Sequence, residues 1–152
     1  MSRLQLALNV EDLDQSVAFY SKLFGVAPAK QHPGYANFAI DEPALKLVLI
    51  QNEGNGGTVN HLGVEVTDVE AVDREQTRLA SEGLASIDER GTTCCYAKQD
   101  KFWVEGAPNG ERWEIYTVLA DSDTFGATET AEQGCCGSAV GEELAPTATA
   151  CC

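Results

Sequence analysis

Leu4-Gln5-Leu6-Ala7-Leu8-Asn9-Val10-Glu11-Asp12-Leu13 and Asn60-His61-Leu62-Gly63-Val64-Glu65-Val66-Thr67-Asp68-Val69 stand in one chain at a constant offset of 56 residues. Each begins with alternating residues that suit a half-buried strand and ends at an aspartate placed to cap a helix. At that offset Val10 falls on Val66, Asp12 on Asp68, Leu13 on Val69, Leu23 on Leu79, and Gln5 on His61. The pattern is a tandem duplication, with too few copies and too long a period for a solenoid.

Working outward from the first copy, Leu4 to Val10 is a strand with Gln5 on the face opposite Leu4. Asp12 or Asp14 caps a helix running to about Phe24, its apolar side made by Val17, Phe19, Tyr20, Leu23 and Phe24, and Gly25 stops it. Three short extended segments follow near Ala27–Gln31, Tyr35–Ile40 and Leu45–Gln51, divided by Pro33-Gly34 and Asp41-Glu42-Pro43. Asn52 to Gly57 is a flexible connector. In the second copy Val59 to Val66 is a strand, Asp68 caps a helix to about Glu82, and Gly83 ends it. Strands near Ser86–Gly91, Thr93–Ala97 with Phe102–Glu105, and Arg112–Thr117 complete it, with Pro108-Asn109-Gly110 as the turn before the last. The expected architecture is α+β: two βαβββ modules, about 3–52 and 58–118, forming a curved mixed sheet around a metal cavity.

The chain has 152 residues, 43% of them hydrophobic, which suits one domain with an ordinary core. Beyond Val118 no lysine or arginine appears and six acidic residues collect, so residues 119–152 read as a disordered acidic tail on a domain spanning 1–118. The net charge of -14 and the absence of a basic cluster argue against nucleic acid and anionic membranes as partners. No apolar run reaches membrane-spanning length and the N-terminus lacks a secretory layout, so a cytoplasmic protein is expected.

All six cysteines fall into adjacent doublets: Cys94-Cys95, Cys135-Cys136 and Cys151-Cys152. Extracellular frameworks space cysteines to join distant segments, and zinc ribbons place two residues within each pair; neither pattern occurs here. Reduced thiols acting in pairs on a soft centre such as trivalent arsenic or cadmium fit better. The first doublet sits in Thr92-Thr93-Cys94-Cys95-Tyr96-Ala97-Lys98-Gln99-Asp100-Lys101-Phe102-Trp103, where Lys98 and Lys101 favour thiolate and, as members of a polar loop, are expected in solvent. The remaining candidates are Gln5, His61 and Glu114, on the first, fifth and last strands. A curved sheet brings those strands together, where an imidazole, a carboxylate and an amide oxygen can hold a divalent metal.

These features together resemble the vicinal oxygen chelate superfamily and, within it, the carbon-arsenic lyases often labelled cadmium-induced proteins. The resemblance spans roughly Leu4 to Thr117. It rests on Val10-Glu11-Asp12-Leu13 with Ser16, Phe19 and Tyr20, on Asn60-His61-Leu62-Gly63, on Asn109-Gly110-Glu111-Arg112-Trp113-Glu114, and on Thr93-Cys94-Cys95-Tyr96. It implies Fe(II), or another divalent metal in its place, on the inner face, and oxidative cleavage by O2 of the carbon-arsenic bond in trivalent organoarsenicals. Many relatives place histidine where this chain has Gln5. Glyoxalase I relatives add a carboxylate from the fourth strand, but Leu45 to Ile50 offers only Lys46, which leaves open positions of the kind a dioxygenase needs.

The expected mechanism has Cys94 and Cys95 bind the substrate arsenic while Gln5, His61 and Glu114 hold the metal. Tyr96, Lys98 and Lys101 are candidate loop or supporting residues, and Cys135, Cys136, Cys151 and Cys152 candidate auxiliary thiols. Two other readings stand beside it: a non-catalytic thiol protein that sequesters cadmium or arsenite, and a glyoxalase or extradiol-type dioxygenase of the same superfamily. The modules either close the cavity within one chain or swap in a homodimer; the sequence leaves both open.

Overall fold

A computed structural model describes residues 1–126, so the expectations for Cys135, Cys136, Cys151 and Cys152 lie outside the described residues. The elements run β1 (Arg3–Val10), α1 (Leu13–Phe24), β2 (Lys30–His32), β3 (Tyr35–Ile40), β4 (Leu45–Gln51), β5 (Val59–Glu65), α2 (Val69–Ser81), β6 (Ser86–Cys94), β7 (Ala97–Val104) and β8 (Trp113–Asp121). They build one eight-stranded sheet in the order β2-β3-β4-β1-β5-β8-β7-β6. Reading outward from the antiparallel β1–β5 seam, each half repeats the other, with β4 parallel to β1 and β8 parallel to β5. The duplication seen in the sequence is therefore a duplication of topology.

Both helices start as expected. Asp12 accepts from the Gln15 N–H at 2.9 Å and Asp68 from the Ala71 N–H at 2.7 Å, filling donors that a helix N-terminus leaves unmet. Gly25 closes α1 in the left-handed conformation at φ 69°. Each helix covers the outer face of its own module. Val10, Leu13, Phe38, Leu47 and Leu49 pack with Val17, Tyr20 and Phe24 under α1, and Val66, Val72, Leu79, Phe102 and Ile115 pack under α2. With the helices outside, alternate residues of each strand face inward and line the concave side.

Three expectations need correction. The second strand lies at Lys30–His32 rather than near Ala27–Gln31, where it pairs with Tyr35–Asn37. The segment Thr93–Ala97 is not a strand: β6 runs through to Cys94, Cys95 and Tyr96 form a two-residue hairpin turn, and β7 begins at Ala97. Both turn residues are left-handed, at φ 53° and 60°, the backbone hand that suits a tight hairpin. The polar run Lys98-Gln99-Asp100-Lys101 is strand rather than loop, because β7 turns Gln99 and Lys101 to the buried inner face while Lys98 is exposed.

The turn is held across the molecule. Cys95 N–H donates to the Phe125 carbonyl at 2.6 Å, and the Tyr96 carbonyl accepts from Ser122 N–H at 3.0 Å and Lys30 Nζ at 3.1 Å. The Tyr96 ring stacks on His32 with centroids 3.6 Å apart and leans on Tyr35 and Phe125. Lys30 also pairs with Asp121. These contacts tie the second module's hairpin tip to the first module's outer strands.

Both capping carboxyls are held below the usual aspartate range, Asp12 by the Gln15 backbone and side chain, Asp68 by the Thr67 hydroxyl and the Ala71 N–H. Asp12→Ala and Asp68→Ala should each lower the urea midpoint at neutral pH. Because the folded values lie below the unfolded ones, that difference should be full above about pH 5 and shrink as pH falls through about 3.9 and below, which urea melts across pH will show.

Candidate active site

Gln5, Ala7 and Asn9 alternate inward on β1, His61, Gly63 and Glu65 on β5, Glu114 and Tyr116 on β8, and Gln99, Lys101 and Trp103 on β7. The register then places Gln5 opposite Gly63, Gly63 opposite Glu114, and Glu114 opposite Trp103. Gln5, His61 and Glu114 meet at the centre of the sheet, all at most 3% exposed. Gln5 Nε2 donates to Glu114 Oε1 at 2.7 Å and stands 3.0 Å from His61 Nε2, and that nitrogen lies 3.4 Å from Glu114 Oε1. The three residues expected from the sequence do converge.

Gly63 makes the convergence possible, a role that its place in Asn60-His61-Leu62-Gly63 does not announce. A Cβ there would lie 3.0 Å from Glu114 Cγ and 3.4 Å from Gln5 Cβ, so the two flanking side chains occupy the space a larger residue would need. A second omission is the support around His61. Its Nδ1 donates to Asn60 Oδ1 at 2.7 Å, which turns Nε2 toward Gln5 and Glu114. Asn60 Nδ2 and Asn52 Nδ2 both donate to Asn9 Oδ1, at 3.0 and 3.2 Å, so the ring is anchored by an asparagine chain spanning both modules.

Lys101 is corrected from an expected solvent position to full burial. Its Nζ donates to Glu114 Oε2 at 3.1 Å, lies 3.4 Å from Glu89 and sits 4.7 Å from the centre of the Trp103 ring. Burial disfavours the ammonium, but Glu114, Glu89 and Cys95 outweigh it and raise the pKa. Burial likewise disfavours the Glu114 carboxylate, yet the Lys101 charge and hydrogen bond hold its pKa far below the usual range. Lys46 lies on the same face, 3.9 Å from Glu65 and 4.9 Å from the centre of the Tyr116 ring; burial lowers its pKa against the pull of Glu65 and Glu114. Tyr116 donates to Gln5 Oε1 at 2.5 Å, and burial, with Glu65 and Glu114 nearby, pushes its hydroxyl well above its ordinary pKa.

The Cys94 and Cys95 sulfurs are 3.3 Å apart. Cys94 is fully buried, and Cys95 packs with Tyr96 and Phe125 against Ala7, Tyr35, Val48 and Ile50. Cys95 is within electrostatic reach of both Lys46 and Lys101, which links the thiol turn to the lysine that braces Glu114. Lys98 is exposed and faces away. Two buried polar atoms on this face, Gln99 Oε1 and Trp103 Nε1, have no partner among the described residues.

The donor set suits a divalent cation: an imidazole nitrogen and a carboxylate oxygen face one another, with the Gln5 amide beside both and the outer atoms of all three already hydrogen-bonded. Among the described residues no cluster of three His, Cys, Asp or Glu side chains occurs, so a three-residue site here depends on the glutamine.

A sheet duplicated from one βαβββ unit, carrying imidazole, carboxylate and carboxamide on its concave face, defines the paired-module class of curved-sheet proteins. The chain belongs to the Glyoxalase/Bleomycin resistance protein/Dioxygenase superfamily, whose family model matches residues 3–115. It is 53% identical over 150 residues to a trivalent organoarsenical cleaving enzyme from Thermomonospora curvata, covering 94% of this chain and 99% of that protein. It is 63% identical over 127 residues to the cadmium-induced protein CadI of Mycobacterium bovis, covering 84% and 83%. The Mn(II)-bound glyoxalase from Novosphingobium aromaticivorans shares the fold, with a TM-score of 0.57 at 18% identity over 85% of this chain and 44% of that one. No helix among the described residues is long and apolar enough to cross a membrane.

Two substitutions check this account. Lys101→Met leaves Glu114 buried without its cation and should cost about 3–5 kcal/mol in urea unfolding, whereas Lys98→Met should stay within about 0.5 kcal/mol. Gly63→Ala forces a methyl against Glu114 and should cost about 1–3 kcal/mol by the same measurement.

Proposed function

We propose that this protein cleaves the carbon-arsenic bond of trivalent organoarsenicals in a reaction requiring Fe(II) and O2. The observation that carries the reading is a pair of sulfurs 3.3 Å apart on the turn that closes over the concave face holding Gln5, His61 and Glu114. Its support from relatives is the 53% identity, over nearly the full length of both chains, to a protein named for that cleavage.

In this reading Cys94, disulfide-bonded in this structure, is first reduced, and Cys94 and Cys95 then capture the substrate: in the reduced protein each thiol displaces a hydroxyl from As(III), forming an arsenic-sulfur bond and releasing water. Two sulfurs at this separation can share one arsenic, and Lys101 and Lys46 favour the Cys95 thiolate that attacks it. The wall of Tyr35, Val48 and Ile50 keeps water from the arsenic, and the arsenic's organic carbon is left facing the triad. Gln5, His61 and Glu114 would hold Fe(II), which supplies the activation of O2. Lys101 keeps Glu114 ionised and turned inward through Oε2, and Asn60, by accepting from His61 Nδ1, holds Nε2 toward the metal position. Inorganic arsenite and an oxidised organic fragment are the expected products.

Full-length reduced protein, loaded with Fe(II) under anaerobic conditions and then exposed to air with methylarsenite, should release inorganic arsenite, read by chromatography. Release should need both iron and oxygen, and Cys95→Ser should lower kcat/KM about 100-fold by losing the positioned arsenic. Methylarsenite that stays bound but intact would replace this reading with thiol sequestration.

A further inference from the structure

The Gln5 amide faces the wrong way for a ligand. Its Nε2 points between His61 and Glu114, and its Oε1 is turned back to the Tyr116 hydroxyl at 2.5 Å. An amide nitrogen has only N–H bonds to offer there, and a cation needs the carbonyl oxygen. Turning the amide through half a rotation puts Oε1 toward the cation and Nε2 toward Tyr116. The Tyr116 oxygen must then accept a hydrogen bond, and its own proton needs another acceptor. Among the described residues Glu65 Oε2 provides it, 3.5 Å from the same hydroxyl. That carboxylate is fixed from outside by Arg3 Nε at 3.0 Å and Lys46 Nζ at 3.9 Å.

We propose that Tyr116 and Glu65 form a hydrogen-bond relay that decides which atom of the Gln5 amide faces the metal position. With Tyr116 donating to Gln5, the amide N–H group clasps Glu114 and His61 together and keeps the cluster assembled without a cation. With Tyr116 donating to Glu65, Gln5 presents oxygen and the site accepts a divalent ion. The proton stays on the tyrosine oxygen throughout; only the hydroxyl and the amide rotate. Tyr116 and Glu65 are thus positioning residues, and a glutamine in this place carries a requirement that an imidazole would not.

This rests on the reading of Gln5 as a metal ligand, and both can be tested without turnover. Mn(II), a harder ion than thiolates prefer, is titrated into the full-length protein and free ion is followed by electron paramagnetic resonance. Glu65→Leu should weaken binding about tenfold, the low end for an outer hydrogen-bond partner, and Glu65→Gln, which keeps an acceptor oxygen, should restore most of it. In a Tyr116→Phe background, Glu65→Leu should cause no further loss, because its effect passes through the hydroxyl. An unchanged affinity in Glu65→Leu, or an equal loss with and without the hydroxyl, overturns the relay. Gln5→Ala separates the two levels: weakened binding there with no effect of Glu65→Leu overturns the relay alone, and unchanged binding overturns the ligand assignment and the relay with it.

Discussion

The buried carboxylate of Glu114 constrains everything around it. A charge at 3% exposure is tolerated only where each oxygen is met, and here Oε2 is held by Lys101 while Oε1 receives the Gln5 amide and faces His61. Lys101, itself fully buried, then needs more than one partner, which it finds in Glu89 and the Trp103 face. The same logic runs through Lys46, Glu65 and Arg3 one row away. Such a network gives little net stability compared with apolar packing, but it leaves few alternative arrangements once every member is satisfied.

The duplication explains why this polar cluster sits where it does. Both modules bury apolar residues under their own helix, but their inner faces have diverged. The first contributes Ala7, Tyr35, Val48 and Ile50, with Lys46 at the row of Gln5; the second contributes His61, Gln99, Lys101 and Glu114. The concave side therefore has an apolar wall and a charged wall, with Gln5 at the seam between them. The hairpin tip of the second module reaches the apolar wall, so a group held by its sulfurs lies between a surface that excludes water and one that carries charge.

The parts legible in the sequence were those governed by local rules. Asp12 and Asp68 announced the helices, the 56-residue offset announced two copies of one module, and a curved sheet of two such modules brought Gln5, His61 and Glu114 together from its first, fifth and last strands. What escaped were residues whose surroundings are assembled from distant strands. Lys98-Gln99-Asp100-Lys101 looks like a loop because polarity normally means solvent, whereas in β7 half of it faces a polar interior. Gly63 looks ordinary until Gln5 and Glu114 close over it, and Tyr116 looks like core until its hydroxyl meets Gln5. The thiol turn escaped for a different reason: two-residue hairpins of this hand usually announce themselves with glycine or asparagine, and Cys95-Tyr96 breaks that rule.

The broken rule has a geometric return. In a continuous strand neighbouring side chains project to opposite faces, so Cys94 and Cys95 in extended backbone would point apart and could not share a ligand. Placing Cys94 at the end of β6 and Cys95 in the left-handed turn brings both sulfurs to within 3.3 Å. Left-handed backbone at residues with side chains costs about 1–3 kcal/mol each and persists only where surrounding contacts over-determine it. Here the Phe125, Ser122 and Lys30 hydrogen bonds and the Tyr96 stack on His32 supply them. The contacts that join the two modules at the hairpin tip are therefore the same contacts that keep the thiols paired, so the closure of the sheet and the geometry of the sulfur site cannot be altered independently.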